Sequence, residues 1–274
     1  MTKRGHEAIA DALSKKRGAG FIPFLSAGDP DAETSFQLLT QLAAFSSVIE
    51  VGIPYSDPLA DGPVIQDGSL RAQKQGMNLP KALQLIARVR AVTDVPIVVF
   101  TYVNPVLSYG AKELAKACQE VGADGMIVPD LPHEEAGDLR QALQERGLAL
   151  IPLVSLTSGE RIETIARAAS GFVYCVSSLG VTGERQGFSS DLRAFVERVR
   201  EYSSVPVAVG FGVSQPEQVR ELSDYTDGIV VGSALVRRCA AIAEAIQNGD
   251  SIGAQREQDE LIAFAKSLAK IACE

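Results

Sequence analysis

The segment IEVGIPYSDPLADGP, residues 49–63, holds three carboxylates whose types and spacing suit acid–base chemistry. Ile49, Val51 and Ile53 alternate with Glu50 and Gly52, so a strand through them turns Glu50 to the face opposite its apolar neighbours. A lone Glu in an apolar strand is costly unless paired or protonated, and burial raises its pKa toward that of a working general acid. Asp57 and Asp61 follow on a Pro-rich loop, stiff enough to hold a second carboxylate opposite the first. Such a pair can move protons. The competing reading of Glu50 is an ion pair with a distant Arg or Lys. For Asp61 it is an Asx turn capping its own loop, a role compatible with a catalytic one. Asp57 and Pro58 read as scaffold or contact residues.

The elements that must position these groups repeat along the whole chain. Short apolar runs at 21–26, 48–53, 96–101, 125–129, 149–154, 171–177, 205–210 and 228–231 alternate with helical patterns at 31–44, 79–92, 111–121, 134–146, 159–168, 190–202, 215–223 and 233–247. Near-continuous apolar runs of this length fit parallel strands buried on both faces. A (β/α)₈ barrel typically needs ~250 residues, and the 274 residues contain no linker or low-complexity tract. The expected fold is therefore an α/β (TIM) barrel in a single domain, 1–274. Additional helices are expected at 5–17 and 256–271, and a short one after Pro63. In the last helix Leu261, Phe264, Ala265, Leu268 and Ile271 form one stripe that should pack on the barrel. Ser214-x-x-Glu217, with Pro216 in the first turn, reads as a helix cap. An open doubly wound sheet is the structural alternative, but no βα turn carries GxGxxG.

In such barrels the active site is built at the carboxyl ends of the strands. Beyond Glu50 these ends offer Phe100-Thr101-Tyr102 running into Asn104-Pro105, Pro129-Asp130, Tyr174, Gly210-Phe211-Gly212 and Gly232-Ser233. Loops after the last two strands, beside a helix N-terminus, form the usual phosphate cradle of this fold. Gly212, Gly232 and Ser233, with Gly183 in the preceding Gly-rich loop, can bring backbone N–H groups to an anion. The competing reading is that these glycines only turn tight corners. Tyr102 and Tyr174 are core aromatics or pocket residues with wet hydroxyls. Asp130 reads as a turn and helix-start residue, and His133 receives no chemistry.

Composition narrows the function classes. A net charge of −8 argues against nucleic acid and anionic membranes. No apolar stretch is long enough to span a bilayer, and MTKRGHEAIADALSKK lacks a signal-peptide core. The chain reads as cytoplasmic, or as a plastid stroma protein if a transit peptide has been removed. Cys118, Cys175, Cys239 and Cys273 are scattered and only two histidines accompany them, so no metal site is expected and the thiols read as reduced.

The segments FIPFLSAGDP, IEVGIPYSDPLADGPVIQ, VSSLGVTGER, VGFGVSQPEQV and IVVGSALV, in this order, resemble the tryptophan synthase alpha subunit family over essentially the whole chain. The resemblance implies Glu50 and Asp61 as the catalytic pair. It implies a mobile loop at 179–190 whose Thr182 meets the acidic loop, phosphate contacts at Gly183, Gly212, Gly232 and Ser233, and an indole pocket lined by Phe24, Phe100, Tyr174 and Phe211. The implied reaction is retro-aldol cleavage of indole-3-glycerol phosphate to indole and glyceraldehyde 3-phosphate, with no cofactor in this chain. The implied partner is a pyridoxal phosphate-dependent beta subunit in an αββα heterotetramer. It would dock on the rim formed by Pro54, Asp57 and Pro58 with Asn104, Pro105, Asp130 and Pro132. Two departures from the family pattern stand out: VSLTSGE lacks a proline, and Ser69 replaces an alanine. A free-standing indole-3-glycerol phosphate lyase, a different phosphate-binding barrel enzyme and a non-catalytic regulatory barrel subunit are the alternatives. The acidic signature and the presence of both Glu50 and Asp61 weigh against the last two.

Overall fold

The computed structural model describes residues 3–14, 18–176, 190–210 and 212–274. The strands are β1 (Gly20–Ser26), β2 (Ile49–Gly52), β3 (Ile97–Phe100), β4 (Gly125–Ile127), β5 (Ala149–Leu150), β6 (Leu153–Ser155), β7 (Val173–Val176), β8 (Val207–Gly210) and β9 (Gly228–Val231). All their pairings are parallel. The order is β5-β4-β3-β2-β1-β9-β8-β7-β6, so the two ends of the sheet are consecutive pieces of one chain segment. Pro152 separates these pieces because it has no N–H for a ladder. The segment instead pairs to one side through Ile151 N–H and Met126 O (2.9 Å) and to the other through Tyr174 N–H and Pro152 O (3.0 Å). The expected fifth strand is thus two short strands, and through them the barrel closes.

The helices fall where the periodicity puts them, with informative differences. Asp31 caps helix Ala32–Ala43 through Glu33 N–H and Thr34 N–H, and Asn78 caps Leu79–Arg90 through Lys81 N–H. The helix after Pro63 is not short but runs for 12 residues, Pro63–Lys74. A helix absent from the sequence reading, Val103–Tyr109, takes up Asn104 and Pro105, which were expected on a loop. Proline is tolerated there because the N–H groups of a first turn have no helical partner. The expected Ser214–Glu217 cap is displaced by one residue: Gln215 and Gln218 form the reciprocal cap, and Ser214 is buried behind it. The last helix begins earlier than expected, at Ser251, and its stripe packs inward as expected, with Leu261, Ala265 and Leu268 buried.

At the amino-terminal end of the barrel, Asp124 is fully buried and accepts hydrogen bonds from Gly5 N–H, Ile97 N–H and Arg90. Arg90 in turn donates to the carbonyls of Gly122, Thr93 and Val95. Every buried charge here has a partner, which is what makes the burial tolerable. The knot ties the first helix, His6–Ser14, across the bottom of β3 and β4, far from the strand ends that carry chemistry. The four cysteines are free thiols.

Candidate active site

Glu50 sits mid-strand on β2, registered between Phe24 of β1 and Val98 of β3, and is 1% exposed. Its Oε1 has no hydrogen-bond partner. No cation among the described residues offsets the burial, which lifts the carboxyl to a pKa of about 8. The ion-pair reading of this residue therefore fails among the described residues. Near neutral pH Glu50 carries a proton.

Asp61 closes the turn after Pro58, with its N–H donated to Pro58 O at 3.1 Å. The turn is made by backbone, and the following helix is capped at Gly62 with no side-chain hydrogen bond. The carboxyl is thus not spent as an Asx cap among the described residues. It is 8% exposed, and burial raises it to about 6, a rise that the Tyr102 hydroxyl partly offsets. That hydroxyl is buried and does not reach full hydrogen-bond geometry, so it acts as a polar neighbour of Asp61. At pH 7 one carboxyl of the pair is protonated and the other mostly ionised, because only Glu50 lies wholly inside the barrel.

Phe24, Glu50, Asp61, Ile65, Phe100, Tyr174, Gly212, Val230, Gly232 and Ser233 line one cavity at the carboxyl ends of the strands. Phe24 and Phe100 meet edge to face at 5.5 Å and form its apolar wall. Tyr174 is buried rather than wet, and its hydroxyl fills the space where a side chain at Gly210 would stand, 2.1 Å from an added Cβ. Tyr102 does not line the cavity as expected. It stacks on Tyr55 with centroids 5.4 Å apart and stands behind Asp61, because β3 ends at Phe100 and the chain turns there into the Val103–Tyr109 helix. Gly183, Thr182 and Phe211, and the loop at 179–190, lie outside the described residues except for Ser190, where a helix starts.

The cradle expected for phosphate has its described parts together. Gly212 has φ +88°, a conformation that disfavours any side chain. Gly232 precedes helix Ser233–Gln247, whose N-terminus carries no side-chain cap. The first N–H groups and the helix dipole therefore point at the cavity end where an anion would sit. Ser233→Asp should raise KM for a phosphorylated substrate at least tenfold through like-charge repulsion, while leaving the Kd of free indole within threefold. Steady-state kinetics and direct indole titration read the two; equal losses for both ligands would show damage to the whole pocket.

The loop carrying Asp61 is braced by Ser69, marked in the sequence only as a departure from the family pattern, and by Gln73. Ser69 Oγ accepts from Tyr55 N–H at 3.0 Å and reaches Tyr55 O at 3.1 Å, and Gln73 donates to the same carbonyl. The departure from the family pattern at Ser69 thus anchors the acidic loop. That departure was its only mark in the sequence, and nothing local to it pointed to a bracing role. On the rim Asp57, Asn104 and Pro132 are exposed, Pro58 and Pro105 half-buried, and Pro54 buried. Asp130 accepts from Val103 N–H at 2.9 Å and so starts the neighbouring helix, not its own.

Residues 10–266 match the family model of the tryptophan synthase alpha chain. The chain belongs to that family. The tryptophan synthase alpha chain of Geobacillus kaustophilus (strain HTA426) is 50% identical over 253 residues, 91% of this chain and 93% of the relative. That of Halalkalibacterium halodurans is 49% identical over 234 residues, 85% and 88% of the two chains. Among solved structures, Mycobacterium tuberculosis tryptophan synthase superposes with a TM-score of 0.85 at 33% identity, covering 99% of this chain and 100% of the other. The alpha-subunit of Pyrococcus furiosus, a mutant form, gives 0.80 at 33% identity, covering 92% and 98%. Family membership makes the protein a lyase of tryptophan biosynthesis that cleaves indole-3-glycerol phosphate. No helix among the described residues is long and apolar enough to cross a membrane.

Proposed function

We propose that Glu50 and Asp61 carry this cleavage, and that the indole formed passes to a beta subunit. The observation that carries the reading is the buried Glu50 carboxyl, whose Oε1 has no hydrogen-bond partner and which burial keeps protonated at neutral pH. Glu50 first donates its proton to indole C3. Its carboxylate then takes the proton of the glycerol hydroxyl next to the scissile bond. As the C–C bond breaks, its electron pair returns to the ring and the hydroxyl carbon becomes the aldehyde of glyceraldehyde 3-phosphate. The proton given to C3 stays on indole and the hydroxyl proton restores Glu50, so the cycle closes. Between the two transfers the ring is an iminium cation with charge at N1, which the Asp61 carboxylate stabilises from a fixed position. Phe24 and Phe100 hold the ring, and Gly212, Gly232 and Ser233 hold the phosphate. Release of indole from indole-3-glycerol phosphate by the purified chain tests the reading, and no release at any pH between 6 and 8 overturns it.

The partner reading rests on the rim. Leu59 and Leu107 are 81% and 71% exposed there, and large apolar side chains left in water suit a docking face. Asn104 donates to the Tyr55 hydroxyl at 3.0 Å, Tyr55 stacks on Tyr102, and Tyr102 faces Asp61. A subunit seated on the rim can therefore act on the acidic loop without touching substrate. The partner we propose is the pyridoxal phosphate-dependent beta subunit in an αββα assembly, working in the cytoplasm. Titrating a beta subunit from the same source should raise indole-3-glycerol phosphate turnover at least tenfold. Neither a complex nor a rate change would point instead to a free-standing lyase.

A further inference from the structure

Three elements that do not belong to one another in sequence meet at Arg71. Its Nε and Nη2 hold both oxygens of Asp29, each at 2.8 Å, and Nη2 also donates to Val236 O at 3.2 Å. Asp29, on the loop after β1, is 1% exposed, so this bidentate pair is shielded from water on the acid's side. Arg71 lies on helix Pro63–Lys74, which begins two residues after Asp61. Val236 lies in the first turn of helix Ser233–Gln247, whose start is the cradle. One turn before Arg71 the helices touch at Gly68, where an added Cβ would stand 2.6 Å from Val236 Cγ1 and 2.8 Å from Asp29 Oδ2. The acidic loop and the anion end of the cavity are therefore mounted on two packed helices that Arg71 ties to each other and to Asp29.

We propose that Arg71 is a positioning residue: held by Asp29 and bonded to Val236, it sets the separation between Asp61 and the cradle at Gly232–Ser233. The inference rests on the function proposed above, because only a substrate with an indole at one end and a phosphate at the other needs both ends held at one distance. A ligand that reaches a single end is indifferent to that distance. The cost of a wrong separation appears only when one molecule must satisfy both sites, as the effective-concentration argument for linked ligands requires.

The test compares a two-ended ligand with its halves. Wild type, Arg71→Met and Arg71→Lys are assayed for KM and kcat with indole-3-glycerol phosphate, and for the Kd of indole and of glycerol 3-phosphate separately. Arg71→Met should raise KM for the whole substrate at least tenfold while each half binds within threefold of wild type. Arg71→Lys, which keeps the charge but has no planar fork, should fall between the two. If Arg71→Met does not fold, the Lys variant decides, with a threefold or larger rise in KM expected and both halves unchanged. An unchanged KM, or equal weakening of all three ligands, overturns the positioning role and leaves a structural ion pair. A wild-type chain that does not cleave indole-3-glycerol phosphate overturns the proposed function instead, a result seen before any variant is made.

Discussion

Glu50→Gln should bring cleavage of indole-3-glycerol phosphate to background and at the same time make the protein more stable at pH 8. The activity loss follows from the two proton transfers proposed for one carboxyl. Each is worth roughly 10²–10⁴-fold, and an amide of the same shape can perform neither. Substrate affinity should stay within a few-fold, because Gln keeps the size and the hydrogen-bonding capacity of the protonated acid. The stability gain follows from linkage. The folded protein holds this proton up to a pKa of about 8, whereas in the unfolded chain it is lost near 4.5. Between those values the folded state binds more protons than the unfolded one, so wild-type stability falls as pH rises from about 4.5 to about 8. Gln has no proton to lose. The variant should gain, on the order of 4 kcal/mol at pH 8 relative to wild type, and nothing relative to it below pH 4. Urea denaturation at the two pH values measures the difference. A variant that keeps turnover at saturating substrate would remove Glu50 from proton transfer, whatever its stability.

Asp61→Asn should cost about 3–4 kcal/mol of transition-state stabilisation, the usual loss for one fixed charge-stabilising group. It should also change the shape of the pH profile. For the wild type, kcat/KM should climb as Asp61 ionises near 6 and fall as Glu50 loses its proton near 8, a bell with its top at neutral pH. In the Asn variant the acid limb should vanish and the alkaline limb remain, because only the group at position 61 has been made neutral. Kinetics from pH 5 to 9 read both limbs. An acid limb that persists in Asp61→Asn would assign it to another group. The two variants therefore separate the members of the pair, Glu50→Gln by loss of turnover at every pH and Asp61→Asn by loss of the acid limb alone.

Local pattern was enough for much of this. Apolar runs with helical periodicity between them encode a barrel because strand and helix periods are read over a few residues. Glu50 stood out because a charge within IEVGI violates that pattern, and such violations are cheapest to keep where they have a use. The described cradle residues were visible for a similar reason, Gly212 and the pair Gly232-Ser233 each breaking off the end of an apolar run. What the pattern could not contain is any relation between distant residues. Nothing near Pro152 says that one broken strand will pair with β4 on one side and β7 on the other. Nothing near Asp124 names Gly5 and Arg90 as its partners, and nothing near Ser69 names Tyr55. Tyr102 read as a pocket residue because its place in sequence follows a strand end, yet a helix begins there and turns it behind Asp61. The sequence alone determined the barrel and the two carboxyls, because both are written in neighbours along the chain. Their protonation states, the bracing of the acidic loop and its clamp to the cradle were decided by the tertiary structure, because burial and hydrogen bonding depend on residues that only folding brings together.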